Sequence, residues 1–261
     1  MRSSNPTLNE NAFRSSGFAV PGRAMTIQGT VNKTLILLAV LLVAAGWIWN
    51  RIIQPSPVVG LPGYPSAAQI QQGVLPFIFA GGIGGLIFAF VTIFKKEWAM
   101  VTAPLYAACE GLVLGGLSAF FEIQYPGIVV QAVGLTFATL FCLLMAYKSG
   151  MIRATEKFKL GIFVATAGIA LFYFIVWIVG MFGVSAPGFV MGSTPLGIGF
   201  SLFVVGIAAL NLILDFDIIE RGAESGAPEY MEWYGAFGLM VTLVWLYMEI
   251  LRLLSKLRSR N

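Results

Sequence analysis

Long apolar stretches separated by short polar ones run through most of the chain. Within each stretch the apolar residues cover every face of a helix, whereas helices of soluble domains carry a single apolar stripe. A helix that crosses a hydrocarbon layer needs about 20 mostly apolar residues. By that criterion the sequence predicts seven transmembrane helices, at residues 34–49, 74–94, 100–121, 129–147, 160–182, 196–219 and 234–254. The alternation of apolar and polar residues that is typical of membrane β-strands is missing from segments such as 75–94, so we expect an all-α integral membrane protein.

Composition agrees with this prediction and excludes several classes of function. Hydrophobic residues make up 58% of the chain and charged residues 11%, against about 25% charged in an average soluble domain. The chain has no histidine, which excludes imidazole catalysis and imidazole metal sites. Phosphate loops, dinucleotide fingerprints and nucleophile elbows are missing as well. We therefore expect no enzymatic activity, no resident cofactor and no nucleic-acid partner.

The ends of the chain differ from its middle. Residues 1–32 are polar and are predicted to form a flexible cytoplasmic tail, residues 33–255 the seven-helix domain, and residues 256–261 a basic C-terminal tail. Most of the 16 lysines and arginines lie on the side of the N-terminus, which predicts a cytoplasmic N-terminus. The basic C-terminus would then lie on the opposite side. A seventh segment that enters the membrane and returns would instead place both ends in the cytoplasm, and the sequence leaves both alternatives open.

Four acidic residues fall inside the predicted spans, where a charge is costly unless it is paired or solvated. They are Glu110, Asp215, Asp217 and Glu249. Each is a candidate for an ion pathway. The alternative is an acid that reaches the headgroup region or pairs along its own helix. Arg221 lies four residues after Asp217, and Arg252 lies three residues after Glu249, so both acids have such a partner.

Helix geometry relates these acids to one another. Asp215 and Asp217 point about 200° apart on a regular helix, so only one of them is expected to face a given pocket. Thr242 and Glu249 share one face of the last helix. Carboxylate oxygens suit Ca²⁺, and a proton competes with a cation for the same carboxylate. The acids therefore predict a pH-dependent cation pathway, with Asp217 and Glu110 as the ligands for the metal ion.

Glycines four residues apart suggest close contacts between helices. Gly81 and Gly85 lie in the second span, and Gly111 and Gly115 lie in the third. Such spacing allows two helix backbones to approach closely. The neighbouring pairs in the segment 81–85 offer a second interpretation, in which the second helix is loosened for gating.

Several short motifs, in this order along the chain, resemble the Bax inhibitor family and its bacterial branch. They are Arg2-Ser3-Ser4-Asn5-Pro6-Thr7-Leu8, Glu110-Gly111 followed by Gly115-Gly116 and Ser118, Asp217-Ile218-Ile219, and Leu251-Arg252-Leu253-Leu254. The resemblance implies six helices around a more central seventh and a pH-sensitive leak of Ca²⁺. It also implies a latch made of two aspartates, of which the first corresponds to Asp217. The second falls at Thr242, which cannot titrate, so either another acid replaces it, with Glu249, Asp215 and Glu110 as candidates, or nothing does.

These observations favour a pH-sensitive Ca²⁺ leak channel or slow transporter, whose partners are membrane lipid, Ca²⁺ and protons. The alternative is a membrane-embedded regulator that binds membrane proteases or other stress machinery and conducts no ions. The bacterial resemblance predicts that the protein is located in the bacterial inner membrane. The two cysteines, Cys109 and Cys142, fall inside predicted spans and are expected to be packed thiols, with a disulfide as the alternative.

Overall fold

The computed structural model describes residues 24–53, 67–152, 154–183 and 192–260, without the side chains of residues 67–72 and 74. This part of the chain forms seven long helices, all apolar and long enough to cross a membrane. They are α1 (Ile27–Ile53), α2 (Ala67–Phe94), α3 (Ala99–Gln124), α4 (Ile128–Lys148), α5 (Glu156–Met181), α6 (Pro195–Glu224) and α7 (Met231–Arg258). The prediction of an all-α, seven-span membrane protein is confirmed.

The first and last helices of the chain extend beyond the apolar stretches that predicted them. Helix α1 begins at Ile27, inside the stretch 1–32 that the sequence assigned to a tail, and α7 ends at Arg258, inside the stretch 256–261. Polar residues can continue a helix because its backbone hydrogen bonds do not depend on apolar side chains. The apolar pattern therefore marks the membrane-crossing part of a helix rather than its ends. Residues 1–23 lie outside the described residues.

Helix α7 is one continuous helix of 28 residues. At a rise of about 1.5 Å per residue it is about 42 Å long, more than the thickness of a hydrocarbon layer. A continuous helix does not double back, so the structure favours the spanning alternative over a segment that enters and returns. In its most apolar window, 61% of the residues are buried, against 11% for α5.

The chain divides into two compact units. The N-terminal unit comprises residues 18–126 and 226–240, with α1, α2, α3 and the start of α7. In it α3 packs against both α1 and α2. A Cβ atom at Gly111 would lie 2.5 Å from the Leu41 carbonyl oxygen, and one at Gly81 would lie 2.6 Å from the Cys109 carbonyl oxygen. These positions admit only glycine, so the close packing that the spacing predicted is present.

Polar contacts tie the start of α1 to the start of α7 within the same unit. The Met25 amide donates to the Ala227 carbonyl over 2.7 Å. The buried Glu232 carboxylate accepts hydrogen bonds from the Thr26 amide and hydroxyl, at 2.8 and 2.9 Å, and pairs with Lys33. Residues just before and within the first turns of α1 are therefore held in place.

The C-terminal unit contains α4, α5, α6 and the part of α7 from Val241 onward. Its apolar core is formed by side chains of α5 and α6, namely Ile162, Ile169, Val204, Ile207 and Leu214. Every residue of α6 from Asn211 to Ile219 is buried, so this helix has no solvent- or lipid-facing side there. Both aspartates of α6 lie within this stretch.

Candidate ion pathway

Asp217 lies on α6 near its C-terminal end and is 8% exposed. Its Oδ2 atom lies 2.6 Å from the Lys159 ammonium of α5 and 3.1 Å from Nε of Arg221 on its own helix. Arg221 is the partner that the four-residue spacing predicted. The contact with Lys159 was not predicted, and it is the one that joins two helices.

Lys159 is buried in the first turn of α5, with 6% of its surface exposed. It lies 3.7 Å from Glu156, three residues earlier on the same helix, but Glu156 is largely exposed. A buried ammonium group needs a charged partner nearby because desolvation would otherwise be very costly. Asp217 supplies that partner. The sequence analysis counted Lys159 as a loop charge, although its place at the start of an apolar stretch was a signal that it could be buried.

A second contact at the same end joins α4 to α6. The Tyr147 hydroxyl, in the last turn of α4, donates to the Glu220 carboxylate. The Tyr147 ring also packs against Phe216, with ring centroids 5.9 Å apart. We call Tyr147, Lys159, Asp217, Glu220 and Arg221 the Asp217 cluster. It links three helices of the C-terminal unit through polar side chains.

Asp215 is fully buried, at 0% exposure, two residues before Asp217. The helix remains α-helical through both residues, so the two carboxylates leave it in different directions, as the 100° step of a helix requires. Both directions lead into protein because α6 is buried on all sides at this level.

Glu249 is part of a separate cluster near the C-terminal end of α7 and is 2% exposed. Its two oxygens accept from Nη1 of Arg252 at 3.0 and 3.1 Å, which is the pairing that the three-residue spacing predicted. Arg252 also donates to the Tyr173 hydroxyl of α5 over 2.7 Å, and Tyr173 interacts with Glu249 in turn. Thr242, two turns earlier on α7, is buried and belongs to the same unit.

Lys256 completes this second cluster. It is 4% exposed, and its ammonium donates to the Gly197 carbonyl over 3.2 Å and to the Ser201 hydroxyl over 2.9 Å. Both acceptors lie in the first two turns of α6. We call Tyr173, Ser201, Glu249, Arg252 and Lys256 the Glu249 cluster. The sequence analysis assigned Lys256 to a basic tail, whereas in the structure it is a buried helical residue.

Glu110 lies in the N-terminal unit, near the middle of α3, and is half-buried. It accepts a hydrogen bond from Tyr106, one turn earlier on the same helix. A Cβ atom at Gly85 of α2 would lie 3.2 Å from a Glu110 oxygen, so the carboxylate rests against the glycine surface of α2. The Tyr106 ring contacts Phe237 of α7 edge-on at 4.9 Å. Glu110 thus lies among helices that approach closely.

The structure gives no direct support to a preformed metal centre. Among the described residues, three or more acidic, cysteine or histidine side chains do not gather at one place. The neighbours of Asp217 are cations, which compete with a metal ion for its oxygens. The two cysteines are free thiols, with Cys109 half-buried and Cys142 exposed.

Comparison with known families gives one match. The family described as Bax inhibitor 1 like matches the chain over residues 5–259, which is nearly its whole length. No curated protein and no solved structure matches the chain.

Proposed function

Because the chain belongs to the Bax inhibitor 1 like family, we propose that this membrane protein is a pH-sensitive Ca²⁺ leak channel or slow transporter. In this proposal the contact between Lys159 and Asp217 is the latch that keeps the C-terminal unit closed. The latch has one acid and one base on neighbouring helices, where the resemblance led us to expect two acids. It therefore accounts for a chain that carries Thr242 in place of a second aspartate.

The observation that carries the proposal is the buried ion pair of 2.6 Å between α5 and α6. Salt bridges on a protein surface contribute little, but losing one partner of a buried pair costs about 3–5 kcal/mol because a charge is left uncompensated. Such a pair can hold two helices together and release them when one charge is removed. In the most apolar window of α5 only 11% of the residues are buried, against 44% in α6, so apolar packing holds α5 less than it holds α6.

The direction of the pH effect follows from the charges around Asp217. When the pH falls, protonation of Asp217 removes the negative charge that Lys159 and Arg221 share. The buried ammonium of Lys159 and the partly exposed guanidinium of Arg221 then lie near each other without the shared negative charge, with the carboxylates of Glu156 and Glu220 at the edge of the cluster. Their repulsion favours separation of the helices. Flux is therefore expected to rise with acidification and to fall as the pH increases.

Carboxylates at this end of the unit support Ca²⁺ as the ion that passes. Glu156 is exposed, and Glu220 lies one turn beyond Asp217 on α6. Hard cations prefer such oxygen ligands, and a small number of them gives the weak binding that passage requires. The proposal treats Ca²⁺ as the transported ion and not as a bound cofactor.

The test is Ca²⁺ flux into proteoliposomes across a pH series, for the unchanged protein and for Asp217→Asn. The variant has the shape of a protonated aspartate, so its flux is expected to be high at neutral pH and nearly independent of pH. Glu224→Gln is a matched control because Glu224 is an exposed acid at the end of the same helix. Flux no greater than in empty liposomes would refute the proposal. So would an unchanged pH profile in Asp217→Asn.

We propose the bacterial inner membrane as the location, with the N-terminus in the cytoplasm. The excess of basic residues in alternate loops supports this orientation. The objection from the basic C-terminus becomes weaker, because Lys256 is buried and Arg252 is paired with Glu249. Neither residue acts as a free loop charge. Labelling of single cysteines at the two ends of the chain in intact cells and in lysed cells would test the orientation.

A second candidate function is a membrane-embedded regulator that binds membrane proteases or stress machinery. The observation that favours it is the fixed start of α1, where Thr26 and Lys33 are bound to Glu232. This anchor fixes the position of the residues that follow the segment 1–23 in the chain, and we propose that segment as the part that binds a partner. Deleting residues 2–23 should abolish the cellular phenotype while Ca²⁺ flux persists if this function is the main one.

A further inference from the structure

The C-terminal unit has a second set of buried charges that the proposed latch does not use. The Asp217 cluster lies at the start of α5 and the end of α6, whereas the Glu249 cluster involves the later part of α5 and the start of α6. Lys159 and Tyr173 are about 21 Å apart along α5 at a rise of about 1.5 Å per residue. This separation is most of the hydrocarbon thickness of about 30 Å. The two clusters therefore occupy opposite ends of the same group of helices.

Between the two clusters the unit is largely apolar. The buried core of Ile162, Ile169, Val204, Ile207 and Leu214 fills this region. Polar groups in this region include the Asn211 amide of α6, which donates to the Thr166 hydroxyl of α5 over 2.8 Å, and the fully buried Asp215. An ion that moved along these helices would meet the two clusters in series, with the largely apolar section between them.

The two clusters depend on protons to different degrees. At the Asp217 end, the ion pair between α5 and α6 needs the aspartate to be charged. At the Glu249 end, α6 and α7 are joined by Lys256, whose hydrogen bonds go to the uncharged oxygens of Gly197 and Ser201. Protonation of Glu249 leaves those two bonds in place. It also leaves the bond between Arg252 and Tyr173, since arginine remains charged at any physiological pH.

We propose that the Glu249 cluster is a second closure of the pathway, held by Lys256 and Arg252 at the end of the C-terminal unit opposite the proton-sensitive latch. This inference rests on the proposed leak function. Closure at both ends predicts a leak that acid opens but that still passes ions slowly. Acid opens the first closure, and the second then limits the rate.

If the two closures act in series, the effect of Lys256→Met on flux should depend on whether Asp217 is also substituted. Lys256→Met keeps the length and apolar stem of the side chain but removes both hydrogen bonds. In the otherwise unchanged protein at neutral pH it should change flux little, because the Asp217 end is still shut. In Asp217→Asn it should raise flux by about tenfold beyond the product of the two single effects. Residues this far apart with no shared partner normally act additively, so such an excess would come from two barriers in series and not from direct contact. Lys256→Arg keeps a donor and should behave like the unchanged protein.

A structural role alone predicts a different result. If Lys256 only supports folding, Lys256→Met lowers the thermal stability and changes flux by the same factor in both backgrounds. Equal factors would overturn the inference while leaving the proposed leak intact. Arg252→Gln is the second variant and should show the same dependence on background, so the test does not depend on the folding of one variant.

An accessibility measurement separates this inference from the leak itself. Val204 is fully buried and lies one turn beyond Ser201 on α6. In a variant in which Cys109 and Cys142 are replaced by serine, Val204→Cys should react with a water-soluble maleimide about tenfold faster when Lys256→Met is added. Faster labelling without Ca²⁺ flux in any variant would support the closure and refute the leak. Equal labelling rates would refute the closure.

Discussion

The contacts between helices inside the N-terminal unit differ in kind from those inside the C-terminal unit. In the N-terminal unit, glycines let the backbones of α1, α2 and α3 touch, as at Gly111 against Leu41. In the C-terminal unit, only 11% of the most apolar window of α5 is buried, and charged side chains join this helix to its neighbours at two levels, as at Lys159 and Asp217. Close packing of small residues has one stable arrangement, whereas a buried ion pair can be switched by a proton. In the proposed mechanism the C-terminal unit is therefore the part that opens, and the N-terminal unit keeps its packing.

The largest change in stability and in Ca²⁺ flux should come from breaking the charged contact between α5 and α6. Lys159→Met removes the ammonium but keeps the unbranched stem, and Asp217 keeps its pairing with Arg221 on the same helix. We expect the free energy of unfolding to fall by about 3 kcal/mol, the lower end of the range for a broken buried pair. Ca²⁺ flux at neutral pH should rise to the level of the acidified protein.

Lys157→Met is the matched control for this prediction, because Lys157 is exposed in the same turn of α5. It should leave both the thermal stability and the flux unchanged. Equal flux in the two variants at every pH would contradict the assignment of Lys159 to the latch.

A smaller loss of stability, caused by overpacking and not by a lost charge, is expected from a substitution in the N-terminal unit. The Cβ atom of Gly111→Ala would lie 2.5 Å from the Leu41 carbonyl oxygen and 2.7 Å from the Ala44 Cβ atom, so α1 and α3 must separate. We expect a loss of about 2 kcal/mol, as for an overpacked core. Thermal unfolding in detergent measures it, and the pH profile of flux should keep its shape.

Gly82→Ala makes the same substitution at a position where an added Cβ meets no atom within 4 Å. It should be neutral, or stabilising by up to about 1 kcal/mol through helix propensity. A loss of stability as large as that of Gly111→Ala would show that glycine spacing alone, and not close contact, accounts for the behaviour of this unit.

The smallest loss of stability should come from neutralising the charge of Glu249. Glu249→Gln removes a charge but keeps a carbonyl oxygen that Arg252 and Tyr173 can still contact, and the bonds of Lys256 remain. We expect a loss of about 1 kcal/mol, the usual contribution of one hydrogen bond. The pH dependence of flux should be unchanged. A shifted pH profile would mean that the two ends of the C-terminal unit respond to protons alike.

Much of the fold was predictable because the length of an apolar stretch is tied to the thickness of a bilayer. The helix ends were less accurate, since residues such as Gln28 and Asn32 continue α1 although they are polar. Pairings along a single helix were also predictable, because spacings of three or four residues place side chains side by side. This applies to Asp217 with Arg221 and to Glu249 with Arg252.

Contacts between helices were not predictable in the same way. The partner of Asp217 on α5 depends on which helices are neighbours and on how they are rotated, and one sequence specifies neither. Lys159 and Lys256 were both assigned to polar ends of the chain or its loops, yet both are buried. Their positions beside apolar residues of long helices were the only signal of burial, and many snorkelling lysines share it.

The central claim is that protonation of Asp217 lets α5 and α6 separate, and a distance measurement tests it most directly. Spin labels at Lys157→Cys on α5 and Glu224→Cys on α6 would occupy exposed positions at the Asp217 end of the unit. With Cys109 and Cys142 replaced by serine, double electron–electron resonance can compare neutral and acidic samples in lipid. The account predicts a longer distance after acidification, and in Asp217→Asn a long distance at both pH values. Distances that stay equal between the two samples, with Asp217 intact, would contradict it.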